Sequence, residues 1–368
     1  MIMRFSLLRR HPLACCLVAL PLAGCNDTAV GPGQKLTRGV IADEVTSVFL
    51  PNIDSLAARG ARLNADLDAL AAAPSAATLA TAQADWKLTR ASYEFGEAFS
   101  FGPIETDGID PAVDTWPVDI AGIDAIIGGT DSLSVAYIDA LPVTLKGFHA
   151  VELVLFGAPG ASTTAASLTP RGLEYLVVAG QDLSNELTSL QTAWSTTGGN
   201  FASQVLDAGQ SSSAYSSTSA VMQDIVTQMA TQPAQVIYKL QQPLTTDSSI
   251  YEESRYSDNT LGDIENNIAG TAAMYFGSRT FGANTGLGSI VRANDPTLDA
   301  TVRAQIATAQ ARIALIEPSF DTALHTNPAL LQNAENAVLT LQKTMINLVA
   351  PMLGVGNAGP LGGQGDND

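Results

Sequence analysis

The sequence predicts an all-α protein of two helical bundles. Three observations carry this. Apolar residues recur at i, i+3, i+4 and i+7 through most of the chain, and no stretch alternates for long enough to argue for a sheet. Hydrophobic residues make up 46% of the 368, enough material for cores in two domains of ordinary size. The same apolar content excludes a largely disordered chain.

The first element is a targeting segment. Residues 1–24 read as a signal peptide, with Arg4, Arg9 and Arg10 as its positive start and Leu13–Leu20 as its apolar run. That run is too short to cross a bilayer stably. It ends in Leu22-Ala23-Gly24-Cys25, which resembles the bacterial lipobox, whose cysteine becomes the lipidated first residue. Cys25 is therefore the expected lipidation site. The mature chain is expected to be tethered by a lipid, on the periplasmic face of the outer membrane of a Gram-negative envelope, because Asn26 rather than Asp follows the cysteine. Cys15 and Cys16 leave with the signal, so neither an intrachain disulfide nor a cysteine metal site is expected. Lys and Arg total 18 against 36 acids, and cleavage before Cys25 takes the formal charge from −18 to −21. Such a surface repels phosphate backbones and excludes nucleic acid as a partner.

Residues 25–37 read as a tether. Helices are expected at about 40–71, 75–99, 119–128 and 132–157, forming an N-terminal bundle over 38–160. A Gly-Ala-Pro-Gly break near 157–168 separates it from a C-terminal bundle over 165–353. That bundle opens with a helix over 170–194, started by the cap Thr169 and by Pro170 at the first helical position. Its apolar face carries Leu173, Leu176, Leu183, Leu187, Leu190 and Trp194. Further helices follow at 214–241, 260–277, 296–316 (opened by Asp295-Pro296) and 331–348. Residues 354–368 are a Gly-rich, acidic tail expected to be disordered.

Chemistry shows where polar groups interrupt the apolar stripes. On the 75–99 helix, Trp86, Arg90, Tyr93 and Glu97 are spaced four, three, four and share a face. On the next strongly apolar helix, Leu145, His149, Glu152 and Phe156 repeat that pattern. A helix that is apolar nearly all round is buried, so the His149–Glu152 pair is expected to be buried too. Ionised groups there need a partner or a metal. Two readings stay open: a structural His–Glu pair, or half of a metal site in which the two converge on one ion. Glu97 is the best further ligand by facing, with Asp119 and Asp124 behind it. His325, beside Asn327-Pro328, reads as a loop histidine.

These residues resemble the imelysin-like family. Gly147-Phe148-His149-Ala150-Val151-Glu152 matches its G-x-H-x-x-E signature. Trp86-x-x-x-Arg90-x-x-Tyr93-Glu94-x-x-Glu97 through Gly102-Pro103 is similar to its N-terminal block, and Thr115-Trp116-Pro117 with Ile123-Asp124 to the segment that follows. Glu253 through Leu261, with Asn267 and Gly270, resembles its C-terminal block. The short signature is unspecific alone; four blocks in order over about 40–350 are specific. The resemblance implies an all-helical fold of two bundles and an iron-regulated envelope protein linked to iron uptake. It implies His149 and Glu152 as metal ligands, and Trp86, Arg90, Glu97, Trp116, Asp124, Arg255 and Asp258 as cleft-lining positions. The expected cofactor is a divalent or ferric metal ion, with iron and zinc as candidates. Expected partners are that ion, the membrane through Cys25, and other envelope proteins of iron uptake.

The family is classed among metallopeptidases, and its relatives include an alginate-binding protein. Zinc peptidases usually show two histidines at H-x-x-x-H spacing with a Glu base. Here the histidines beyond Cys25 are His149 and His325 alone, and no H-E-x-x-H occurs. Metal binding is therefore favoured over hydrolysis. Recognition of a polysaccharide or protein in the cleft, with Trp86, Trp116, Tyr251 and Tyr256 as stacking surfaces, is the third reading.

Overall fold

The computed structural model of the chain describes residues 32–158, 162–246, 248–278, 285–356 and 358–360. The expected signal peptide, Cys25 and the tether up to residue 31 lie outside the described residues, as do 159–161 of the expected break and 361–368 of the expected tail. All regular structure among the described residues is helical.

The helices that position the site are α1 (Pro32–Glu44), α2 (Leu50–Ala72), α3 (Ala76–Gly96), α4 (Ile109–Asp114), α5 (Ile120–Gly128) and α6 (Gly147–Phe156). They continue as α7 (Pro170–Trp194), α8 (Thr218–Thr246), α9 (Thr260–Phe276), α10 (Leu287–Asn294), α11 (Pro296–Ile313) and α12 (Ala329–Thr344). α1 begins inside the segment expected to be a tether and runs into α2 through one wide turn at Val45–Phe49. α3 starts on a reciprocal cap between Ser75 and Thr78, and α11 on the Asp295 carboxylate ahead of Pro296. Each of these caps satisfies backbone N–H groups that have no partner inside the helix.

The helix expected over 132–157 is broken. A short turn of helix over Val135–Asp139 ends before Pro142, and α6 begins only at Gly147. Proline cannot supply the N–H a continuous helix needs at this point. Gly147 sits at φ +79°, and a Cβ there would lie 2.4 Å from the Val113 carbonyl oxygen. The glycine of the signature thus lets α6 start hard against the end of α4.

The bundle boundary also moves. α7, expected in the C-terminal bundle, packs against α2 and α6, with Asn64 donating to Gln181 at 3.0 Å and Gln191 to Asp54 at 2.9 Å. An amphipathic stripe says that a helix needs a partner, not which one. One bundle is therefore α2, α3, α6 and α7, and the other α8, α9, α11 and α12, with α10 against α11. The buried apolar side chains of both form one continuous core. The seam is the α3–α9 pair, closed where Gly270 meets the Phe95 carbonyl; a Cβ at 270 would lie 2.2 Å from that oxygen.

Gly270→Ala should therefore pry α3 from α9 and cost about 1–3 kcal/mol, the usual penalty of overpacking. Urea unfolding of the purified variant reads this. A midpoint equal to wild type would mean that the seam tolerates a methyl group and is looser than described.

Candidate metal centre

The seam houses a buried ionic cluster that five helices and two connecting segments build together. From α3 come Arg90 and Glu94, from the short turn that follows it Glu97, from α4 Asp114, from α6 His149 and Glu152, and from α9 Asp263 and Asn267. α8 contributes Lys239, and the loop ahead of α9 contributes Glu253 and Ser257. α3 is held to α6 by Trp86, whose indole N–H donates to the Phe148 carbonyl at 3.1 Å.

The Arg90 guanidinium, wholly buried, sits among four carboxylates. One Nη contacts Asp114, and the other contacts Glu94 and lies 2.6 Å from Glu253 Oε1, while Nε is 3.8 Å from Asp263 Oδ1. Lys239 reaches Glu94 at 2.8 Å, Glu253 at 2.9 Å and Glu97 at 3.5 Å. Asn267 donates to Glu94 at 2.7 Å and to Glu97, and Gln232 donates to Glu97 at 3.2 Å.

His149 occupies the other side. Its Nδ1 is 3.0 Å from Glu152 Oε2, and the second Glu152 oxygen accepts from the Ser257 backbone N–H at 2.8 Å and from its hydroxyl at 2.7 Å. Glu152 is thereby fixed as the group that orients the imidazole. Trp116 tilts against the ring at 4.9 Å between centroids. The remaining nitrogen, Nε2, has no hydrogen-bond partner among the described residues. It looks at Asp114 Oδ1 at 3.3 Å and Glu253 Oε1 at 3.9 Å.

Electrostatics say which forms these groups take. Burial, reinforced by Arg90, pushes His149 well below the usual histidine range, so the imidazole is neutral near pH 7. With Nδ1 paired to Glu152, Nε2 is the ring nitrogen left facing two carboxylate oxygens. Burial pushes Glu152 up to about 8 despite the Ser257 hydrogen bonds. Burial and the nearby Glu94 push Asp263 up to about 7. Burial would raise Glu94 as well, but Arg90 and Lys239 outweigh it and hold that carboxyl below its usual range.

A metal ion fits this donor set. Asp114, His149 and Glu253 each offer one ligand atom, and the three atoms all lie within 4.8 Å of one another. An imidazole whose far nitrogen is paired with a carboxylate while its near nitrogen faces further ligand atoms is the arrangement that metal-bound histidines adopt. One nitrogen and two carboxylates suit iron, manganese or zinc. Glu94, Glu253 and Asp263 form a second such group, sharing Glu253 with the first.

The structure brings His149, Glu152 and Arg90 together and distributes the other expected residues. Glu97, expected as a ligand beside His149 and Glu152, is engaged instead by Lys239, Asn267 and Gln232. Trp86 is fully buried core rather than cleft wall. Asp124 is exposed on α5, and Asp119 caps that helix through Gly122 N–H at 2.9 Å. Arg255 lies over the Tyr256 ring at 5.2 Å, and Asp258 is exposed at φ +53°. His325 stands on a short exposed helix, against the Asp321 carbonyl at 2.8 Å. Asp114 and Glu253, the two carboxylates that face His149 Nε2, are not singled out as candidate ligands by the sequence. Their signal was position: one directly precedes the Thr115-Trp116-Pro117 block and the other opens the C-terminal block.

The raised carboxyls set a pH dependence. A folded state that binds more protons than the unfolded chain loses stability as pH rises. Glu152 and Asp263, favouring their acid forms up to about 8 and about 7, do this. By about pH 7.5 His149 is mostly neutral in both states, so it opposes this slope only below that pH. Chelator-treated protein should therefore melt at steadily lower temperature from about pH 7.5 to about pH 8.5, and Glu152→Gln should flatten the curve. A wild-type melting temperature that holds or rises across that window contradicts the protonated carboxyls.

With this geometry in hand, the chain can be set beside known proteins. The Imelysin family (peptidase M75) matches residues 49–347. Iron-regulated protein A of Synechococcus elongatus is 29% identical over 347 residues, covering 93% of this chain and 92% of the cyanobacterial one. A crystal structure from Parabacteroides distasonis, described as an iron-regulated protein A precursor, superposes with a TM-score of 0.76 at 24% identity, over 89% of this chain and 97% of that one. An imelysin-like protein from Psychrobacter arcticum gives 0.70 at 15% identity, over 89% and 98%. These two share the fold. The family match spans both bundles and every residue of the buried cluster, and the chain belongs to the imelysin family.

Proposed function

We propose that the chain is a lipid-anchored envelope protein that binds a metal ion in the service of iron acquisition, holding it with Asp114, His149 and Glu253. The observation that carries this reading is the unpartnered His149 Nε2, buried and turned toward two carboxylates. A buried polar atom left without a partner costs about 1–3 kcal/mol, and an ion held here would supply that partner. Glu152 keeps the imidazole aimed, and Ser257 keeps Glu152 aimed. That the Synechococcus relative is an iron-regulated protein supports iron as the ion. Burial supports binding over hydrolysis: His149 is 0% exposed and Asp114 3%, which admits an ion and excludes a peptide. The buried Trp86 also removes one of the stacking surfaces that a polysaccharide reading needs.

Calorimetric titration with Fe2+ under anaerobic conditions, and with Zn2+, tests the site. His149→Ala, Asp114→Asn and Glu253→Gln should each abolish binding. Glu152→Gln should weaken it about 10–100-fold, as loss of an orienting partner does. Glu97→Gln should bind nearly as wild type does. Retention of full affinity by His149→Ala would remove the metal centre as proposed.

The anchor is tested separately. Expressed in a Gram-negative host, the full chain should incorporate labelled fatty acid and fractionate with membranes. Cys25→Ala should do neither. A Cys25→Ala chain that stays with the membrane would require another attachment.

A further inference from the structure

Arg90 stands on the atoms that the proposed ion needs. Its two Nη groups engage Asp114 Oδ1 and Glu253 Oε1. These carboxylates, with His149, make the first three-ligand group. An ion taking Asp114, His149 and Glu253 must compete with the guanidinium for the same oxygens. On its other flank the same side chain already faces a second pair of carboxylates. One Nη contacts Glu94, and Nε, which has no hydrogen-bond partner, lies 3.8 Å from Asp263 Oδ1. The guanidinium thus lies between two acidic pairs, hydrogen-bonded to one and only partly bonded to the other.

We infer that Arg90 is a displaceable counter-ion: it plugs the site in the metal-free protein and moves onto Glu94 and Asp263 when an ion binds. This rests on the metal-site reading above and adds how that site is guarded. Without a plug, Asp114 would be a buried carboxylate facing only His149, and Glu253 would keep Lys239 as its one cationic partner, a costly arrangement. The planar fork of arginine covers both with two donors held in one plane, a geometry that an ammonium group does not reproduce. The fork also makes loading an exchange rather than a simple filling. A monovalent, weakly hydrated cation offers little charge density and can be outcompeted, whereas an ion of higher charge can repay its own dehydration. The plug therefore raises the affinity threshold that any cation must pass.

The test is Fe2+ and Zn2+ titration of the full mature chain carrying Arg90→Gln or Arg90→Lys, beside wild type and Arg90→Gln/His149→Ala. Competition predicts at least tenfold tighter binding for Arg90→Gln and a smaller gain for Arg90→Lys, which keeps the charge but loses the fork. The gain should vanish in the double variant. If Arg90→Lys binds as wild type does while Arg90→Gln gains, the effect is through-space charge and the plug is overturned; unchanged or weaker binding in both variants overturns it too. In wild type, stoichiometric Zn2+ should shift the Nε–H nitrogen signal of Arg90, assigned by its absence from Arg90→Lys. Binding without that shift also overturns the plug, and this reading holds even where Arg90→Gln fails to fold. If wild type binds neither ion, the metal reading above is in question on its own, and binding by Arg90→Gln alone would rescue both.

Discussion

Everything at the junction of the two bundles is arranged around one buried guanidinium. Arg90 leaves water completely, and a charged group does so only when partners replace its hydration in full. Glu94 comes from one turn further along the same helix, Asp114 from α4, Glu253 from the loop ahead of α9, and Asp263 from α9 itself. Any shift of these elements relative to α3 would strand a charge inside the protein. The seam is thereby specified more sharply than apolar packing alone would specify it, since cores tolerate considerable rearrangement when volume is conserved. Gly270 adds the steric half of the same constraint by letting α9 touch the backbone of α3.

The cluster is nevertheless unbalanced. Glu94, Glu97, Asp114, Glu152, Glu253 and Asp263 are buried, against Arg90 and Lys239 as the buried cations among them. The surplus is absorbed by proton uptake, visible in the elevated carboxyls of Glu152 and Asp263. A fold selected for stability alone would do better with apolar residues of similar volume, which often match or exceed a buried ion pair. A surplus of carboxylates around a neutral, precisely oriented imidazole is understandable as a place where positive charge comes and goes. The orienting chain is continuous: Lys87 on α3 donates to the Ser257 carbonyl at 2.7 Å, Ser257 holds Glu152, and Glu152 holds His149.

Much of this was legible in the sequence, and the limits were physical. Long helices announced themselves by period and by caps such as Thr169-Pro170 and Asp295-Pro296, because both signals are local. The break inside 132–157 was written in Pro142 and Gly147, yet the apolar content around them masked it. The allegiance of α7 was not legible, because an apolar stripe is indifferent to which partner covers it. In the site, His149, Glu152, Arg90 and Glu97 stood out as polar groups in apolar faces. Asp114 sits on a helix too short to show a period, and Glu253 in a loop that has none. Lys239 carries no sequence signal, because a lysine with its stem on an apolar face is so common that burial of its ammonium group does not show. Glu97 shares the face of Arg90, but about two helical turns carry it past the imidazole to Lys239. Facing fixes direction around a helix axis and leaves distance along it open.

The surface and the site act on cations in different ways. Thirty-six acids against eighteen basic residues surround the protein with negative potential, but exposed charges are screened within about 8–10 Å at physiological salt. Such a coat enriches cations nearby without choosing among them. Choice requires donors held in place after water is gone, and only the buried cluster offers that. There the imidazole contributes a borderline donor and the carboxylates hard ones, a set on which magnesium and calcium gain little from nitrogen while iron, manganese and zinc gain from both. Arg90 sharpens the distinction, because an ion must outbid a hydrogen-bonded fork and not merely enter an empty hole. In the proposed site, selectivity would follow from the same contact that closes the seam: the guanidinium that joins the bundles would also set the threshold for entry between them.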